Sequence, residues 1–227
     1  MTEIGQYLGM LEWAYSGGTN NHPEHNPNPL YWDILLGDLK SNPTLWAGKT
    51  ALDFGCGKGR NVSNMKSIAP FARVDGIDIS QNNIDYCRAT QPVGSDFYKN
   101  NGNDLRDLKD NEYDFVMSTI VFQHLCVHEL RVNLKKEIYR VLKSGGIFSF
   151  QMGYGAMDYA GATYARDYYD NSYDAENSNG SNDVRVNDPQ QLIGDLEAIG
   201  FKNITYSIQE PWADGGHPHW IYVRCEK

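Results

Sequence analysis

Hydrophobic and polar positions switch repeatedly between two periods along this chain. Apolar runs of strand length stand at Ala51 to Phe54, Val74 to Ile79, Asp114 to Ile120 and Ile147 to Met152. Between them, Asn61 to Ile68, Asn82 to Ala89 and His128 to Leu142 carry helical spacing. In the last, Leu130, Leu134, Ile138, Val141 and Leu142 share one face, with Lys135, Lys136 and Arg140 on the other. Ser144-Gly145-Gly146 follows, and its glycines supply the left-handed conformation that closes a helix. Leu30, Ile34, Leu35 and Leu39 predict one helix over Pro29 to Leu39, ahead of the first strand. At the other end, Pro189 to Ile199 reads as a helix closed by Gly200, and Lys202 to Gln209 with Trp220 to Cys225 as an antiparallel hairpin at a sheet edge.

Alternation of this kind predicts an α/β fold with a doubly wound, mostly parallel sheet, helices on both faces, and ligands at the carboxyl ends of the strands. The pattern lapses from Gly153 to Asp188, where Tyr154, Tyr159, Tyr164, Tyr168, Tyr169 and Tyr173 stand among Asp, Asn, Ser and Gly. An insertion this long in a compact domain is a functional lid or a disordered segment. Residues 1–227 fit one domain: an N-terminal helical segment (1–48), a core (49–152), the insertion (153–188), and a final helix and hairpin (189–227).

Charge narrows the partners. With 20 Lys and Arg against 29 Asp and Glu the chain is acidic, which argues against a nucleic-acid backbone or an anionic membrane as partner. The N-terminus lacks a basic segment followed by an apolar one, and nowhere do eighteen apolar residues run together, so a soluble, cytoplasmic protein is expected. Cys56, Cys87, Cys126 and Cys225 lie far apart with no metal-ligand spacing, which reads as buried thiols rather than disulfides or a zinc site. Trp212 to Trp220 holds two histidines two apart, but no third ligand is near in sequence, and a hairpin connection explains the segment.

Candidate chemistry begins at Asp53-Phe54-Gly55-Cys56-Gly57-Lys58-Gly59, where a strand hands over to a helix and glycines let a ligand approach the backbone. The third glycine follows the second by two residues and Arg60 stands where GxGxxG would place it, which departs from a dinucleotide fingerprint. No GKS or GKT follows, so this is not a P-loop. Asp78 ends the second strand, where a carboxylate can accept ribose hydroxyls. Taken with Tyr113-Asp114-Phe115-Val116 and Leu142-Lys-Ser-Gly-Gly146, in order and at fitting intervals, this run resembles the class I S-adenosylmethionine-dependent methyltransferases over roughly Lys49 to Met152.

The resemblance implies a seven-stranded sheet and S-adenosyl-L-methionine as cofactor. Asp53 and the backbone of Gly55, Cys56, Gly57 and Gly59 would hold its methionine end, Asp78 the ribose, and Ile79 would pack on the adenine. Asn61, Leu105 and Ser118 count among the cofactor contacts. Asp104, then Asn103, would accept from the adenine amino group, although Asp104 is equally a turn former.

Methyl transfer is an in-line displacement, so placement of the acceptor in a dry pocket supplies most of the acceleration. A base is needed only where the acceptor must lose a proton. His124, in the loop after a central strand, is either that base or a pin for its loop, and Gln123 either orients an acceptor or faces water. Tyr154 is the aromatic best placed to reach the site and meet a sulfonium; the remaining tyrosines read more simply as the insertion's own core. Ser118-Thr-Ile-Val stands where relatives acting on base amino groups carry an Asn-Pro-Pro-Tyr-like motif, which again argues against nucleic acid. The leading expectation is transfer to an O or N atom of a small-molecule acceptor. A protein or peptide methyltransferase, a silent cofactor-binding protein and a nicotinamide dehydrogenase are the competitors.

Overall fold

The computed structural model describes residues 2–16, 34–91, 93–155, 166–173, 183–210 and 219–227. Helix α1 (Glu3–Ser16) is followed by α2 (Asp38–Ser41), a 3-10 turn (Pro43–Trp46), β1 (Thr50–Phe54), α3 (Arg60–Ile68), β2 (Arg73–Asp78), α4 (Gln81–Thr90) and β3 (Phe97–Lys99). Then come β4 (Tyr113–Ser118), a 3-10 turn (Phe122–His124), α5 (His128–Val141), β5 (Leu142–Tyr154), α6 (Pro189–Ile199), β6 (Lys202–Gln209) and β7 (His219–Glu226).

The strands form one sheet in the order β3-β2-β1-β4-β5-β7-β6. β1 to β5 are parallel, and β7 inserts antiparallel between β5 and the edge strand β6. The period of two explains why both faces are covered. Leu52, Phe54, Val116, Phe148 and Phe150 face a core closed by Leu130, Leu134 and Ile138 of α5, whereas Ala51, Phe115 and Met117 face a second core with Val62, Met65 and Ile84. Each Leu, Val, Ile, Phe or Met side chain among them contributes about 1.5–3 kcal/mol on burial. Because β1 pairs β2 on one side and β4 on the other, the chain reverses direction across the sheet at β1, the place where such folds open a crevice.

Three local readings change. The long helix does not end on Gly145-Gly146: it ends at Val141, and Leu142 is already extended (φ −69, ψ 141) and paired with Tyr113. The glycine pair sits instead in an irregularity of β5, with Gly145 at φ 73 and its N–H on Lys227 O, because strand pairing captures Leu142 before a left-handed cap forms. The N-terminal segment contains a whole helix, α1, that periodicity did not single out. The helix expected over Pro29 to Leu39 lies partly outside the described residues, with Ile34 to Leu36 and α2 helical on either side of Gly37.

No helix of the described residues is long and apolar enough to cross a membrane.

Candidate functional site

At the carboxyl ends of β1, β2 and β4 lies a cavity of about 890 Å³. Its floor begins with the glycine turn, which folds tightly because Gly55 and Cys56 both donate to Ile77 O, at 2.8 and 3.1 Å. Gly55 has φ 77, and a Cβ built there would stand 2.2 Å from Val121 Cγ2; only glycine lets the β1 turn pass the loop after β4. Gly59, at φ 82, leads into α3 and is packed against Gln91.

Asp53 stands behind this turn, fully buried and off the cavity wall. Neither carboxylate oxygen has a hydrogen-bond partner in good geometry. Burial pushes its pKa up to about 7, against the pull of Arg60 and the Asn61 amide. Asn61 lines the cavity and donates from Nδ2 to Thr119 Oγ1 at 2.9 Å. Cys56 lines it too; its hydrogen bond with Cys87 and burial raise the thiol pKa, so it is an inert wall group.

Asp78 reaches the cavity but is already engaged. It accepts from Gly57 N at 2.9 Å, Ser80 N at 2.8 Å and Asn83 Nδ2 at 3.2 Å. A carboxylate takes about four donors, which leaves Asp78 room for about one more. Burial raises its pKa while these three donors oppose the rise. Ile79 lines the wall beside it.

Beyond β3 the wall is made by Asn100 and Gly102. Asn103, Asp104 and Leu105 lie off it. Asn101 Oδ1 accepts from the Asn103 and Asp104 amides at 2.9 Å each, and Asp104 forks onto Arg106 at 2.8 and 2.5 Å, which holds its carboxyl well below the usual range. Leu105 is buried and its N–H is on Glu137 Oε2 at 2.9 Å. Ser118 is also off the wall, its hydroxyl buried without a partner.

The loop after β4 forms the other wall. Ile120 lies on it at φ 56, a costly conformation for a β-branched residue that is found where structure serves a site. The next turn is anchored by Phe122, whose ring meets those of Phe54, Phe148 and Phe150 at 5.3–6.0 Å. Anchoring Phe122 fixes His124, which lines the cavity and places Nδ1 2.5 Å from Asp183 Oδ1. In the tautomer whose Nδ1 donates to the Asp183 carboxylate, Nε2 is the ring's remaining acceptor position. Gln123 is fully buried with neither amide atom partnered, so it does not face water.

Helix α1 lines a further side of the cavity through Leu11, Trp13, Ala14 and Tyr15. The Tyr15 ring lies 5.1 Å from the His124 ring, and its buried hydroxyl has no partner among the described residues. Burial and the Asp183 charge raise its pKa.

Tyr154 ends β5, half-buried, packed on the core and off the cavity wall. Tyr168 is buried on α5, and Tyr173 packs edge-on against Tyr7 at 5.9 Å; Tyr159 and Tyr164 lie outside the described residues. So does His217, whereas His219 pairs with Glu210 at 3.6 Å. Among the described residues no three His, Cys, Asp or Glu side chains converge on a metal position.

Sequence reasoning therefore brought Gly55, Cys56, Gly57, Asn61, Asp78, Ile79 and His124 to one cavity. It missed Asp183, for no motif marks it: the residue arrives because Val184 N–H bonds Gln123 O at 2.7 Å and lays the insertion beside the His124 turn.

Residues 52–150 match the methyltransferase domain family. Over 116 residues the chain is 33% identical to trans-aconitate 2-methyltransferase of Rhizobium rhizogenes, a match that covers 51% of this chain and 43% of that protein, less than half its length. Among solved structures, the phosphoethanolamine N-methyltransferase 2 of Haemonchus contortus superposes with TM-score 0.64 at 17% identity, over 100% of this chain and 58% of that one. The [4+2]-cyclase SpnF superposes with TM-score 0.59 at 16% identity, over 99% of this chain and 93% of that one. These two likenesses speak for the fold, which serves more than one chemistry. The family match takes in β1, the glycine turn, Asp78 and β4, less than half of the chain, and agrees with the resemblance to the class I S-adenosylmethionine-dependent methyltransferases carried by the same residues.

Proposed function

We propose that the protein transfers a methyl group from S-adenosyl-L-methionine to an O or N atom of a small-molecule acceptor. The cofactor fits the residues present. The glycine turn offers backbone to a ligand, Asp78 has room for one more donor, and the unpartnered Asp53 carboxylate lies close behind, where it favours a cation. When bound, the cofactor supplies an electrophilic methyl carbon on a sulfonium.

This chain's own contribution lies at the other wall. The single observation that carries the reading is the His124–Asp183 pair on the face of that cavity. Asp183 orients the ring and stabilises the imidazolium that forms, while Nε2 takes the acceptor's proton as its O or N attacks. The acceptor would therefore be a hydroxyl or an amine, which needs a base, rather than a carboxylate, which does not. Small size is supported by the cavity's volume of about 890 Å³ and by α1, which adds Leu11, Trp13 and Tyr15 as an apolar and aromatic side to it.

The test is turnover with methyl-labelled cofactor against a pool of low-molecular-weight hydroxyl and amine compounds, comparing wild type with His124→Ala. Label in small products, lost in the variant, supports the proposal. Cofactor binding with label in no small product would sink it and favour a silent binding protein.

A further inference from the structure

Away from the cavity, the amino-terminal half of α5 carries two cationic side chains with no exposed surface, Arg131 and Lys135. The two are used differently. Lys135 joins His128 and Tyr168 around one carboxylate: Asp195 Oδ2 is 3.0 Å from His128 Nε2, 3.3 Å from Lys135 Nζ and 2.5 Å from Tyr168 Oη. Among the described residues Arg131 has no hydrogen-bonded carboxylate. Its guanidinium donates to the carbonyl oxygens of Leu125 and Tyr168, and lies 5.0 Å from the Tyr168 ring.

Those two carbonyls belong to segments that meet again at the site. Leu125 follows His124 directly and lines the cavity. Tyr168 lies in the described strip 166–173 of the insertion, whose Arg166 donates its N–H to Asp183 O at 3.0 Å and accepts from Arg185 N–H at 3.4 Å. The strip also caps α5, since His128 N–H bonds Asp170 O and Glu129 N–H bonds Asn171 Oδ1, both at 2.8 Å. One guanidinium thus grips the loop that carries His124 and the strip that holds Asp183.

We infer that Arg131 is a positioning residue for the His124–Asp183 pair, fixing the insertion against the catalytic loop by donating to both backbones at once. The inference rests on the proposed role of that pair. A cation that gives up its hydration on burial is a poor choice for packing alone, since an apolar side chain of similar volume would fill the space without that loss. The planar guanidinium holds its donors to the two carbonyls in a fixed fork, whereas the donors of a lysine ammonium turn about a single point on a flexible stem.

The experiment uses the whole chain with histidine labelled by nitrogen-15 and observes the His124 Nδ1 proton, which in a hydrogen bond to a carboxylate resonates far downfield. Wild type should show it and Asp183→Asn should lack it. Arg131→Lys should lose or broaden it while retaining its circular dichroism and binding S-adenosylhomocysteine within about twofold of wild type. Val74→Ala, a loss of packing elsewhere, should keep it. An Arg131→Lys protein that folds, binds and keeps the wild-type proton signal overturns the inference, as does a wild type without the signal. Arg131→Met, which removes both donors, should lose the signal as well; should it fail to fold, the lysine variant decides alone. Because the readout needs no acceptor, a wild type that shows the proton but transfers no methyl group would defeat the proposed function and leave this inference standing.

Discussion

His124 Nδ1 and Asp183 Oδ1 stand 2.5 Å apart although 59 positions separate them in the chain. On the proposed mechanism this contact fixes the tautomer of an imidazole that acts as base at the crevice. Replacing His124 by Ala should therefore lower kcat by roughly 10²- to 10⁴-fold, the range for losing a general base, with cofactor affinity unchanged. Asp183→Asn should reduce kcat by a smaller factor. Steady-state rates beside calorimetric titration with S-adenosylhomocysteine check both, and a parallel loss of binding would mean that the pair shapes the pocket instead.

The buried Asp53 carboxyl ties stability to pH. Its pKa is about 7 in the folded chain against an ordinary 3.8, so the folded state holds its proton while the unfolded chain has released it. Stability from this group is intact below pH 4 and is lost as pH rises toward 7, a difference worth roughly 4 kcal/mol. Asp53→Asn should raise Tm at pH 7 to 8 and flatten the fall between pH 5 and 7. Losing the charge should also weaken binding of the sulfonium cofactor more than binding of S-adenosylhomocysteine. Thermal scans across pH, with and without each ligand, test both statements.

Much of this was legible in the sequence because it depends on neighbours in the chain. Period-two runs such as Ala51 to Phe54 already mark which residues face which core, and α6 with its Gly200 cap follows from local chemistry alone. The glycine turn and Asp78 are one βαβ step apart, so spacing could find them. Asp183 could not be found that way, because its partner is set by a backbone bond between the insertion and Gln123. Gly145 misled for a related reason: a local cap and a strand pairing competed, and the non-local pairing of Leu142 with Tyr113 won. Asp104 illustrates the third failure, since Arg106 two residues on takes the carboxylate that the site was expected to use.

Gly55 tests whether the glycine turn is a matter of close approach. An alanine there would push its Cβ to 2.2 Å from Val121 Cγ2 and keep a left-handed φ of 77. Gly55→Ala should lose about 2–4 kcal/mol of stability through the clash and the backbone strain, and most of the cofactor affinity. Adding Val121→Ala should restore part of the stability but leave the contribution of about 1–2 kcal/mol from φ. Chemical denaturation of the two variants separates clash from strain; no recovery at all in the double variant would place the cost wholly in the backbone.

The Tyr15 hydroxyl supplies the sharpest reading of the acceptor. It is buried, has no partner among the described residues and sits on a ring 5.1 Å from that of His124, so its burial is not repaid by a hydrogen bond to them. Tyr15→Phe should leave Tm unchanged or raise it by the equivalent of up to about 1 kcal/mol. If the hydroxyl meets the acceptor, the same change should raise the acceptor KM by about tenfold, the worth of one hydrogen bond, while S-adenosylhomocysteine affinity stays fixed. A variant that gains stability and keeps its KM would place the acceptor's polar group elsewhere, and the buried, unpartnered amide of Gln123 beside His124 would then be the next residue to change.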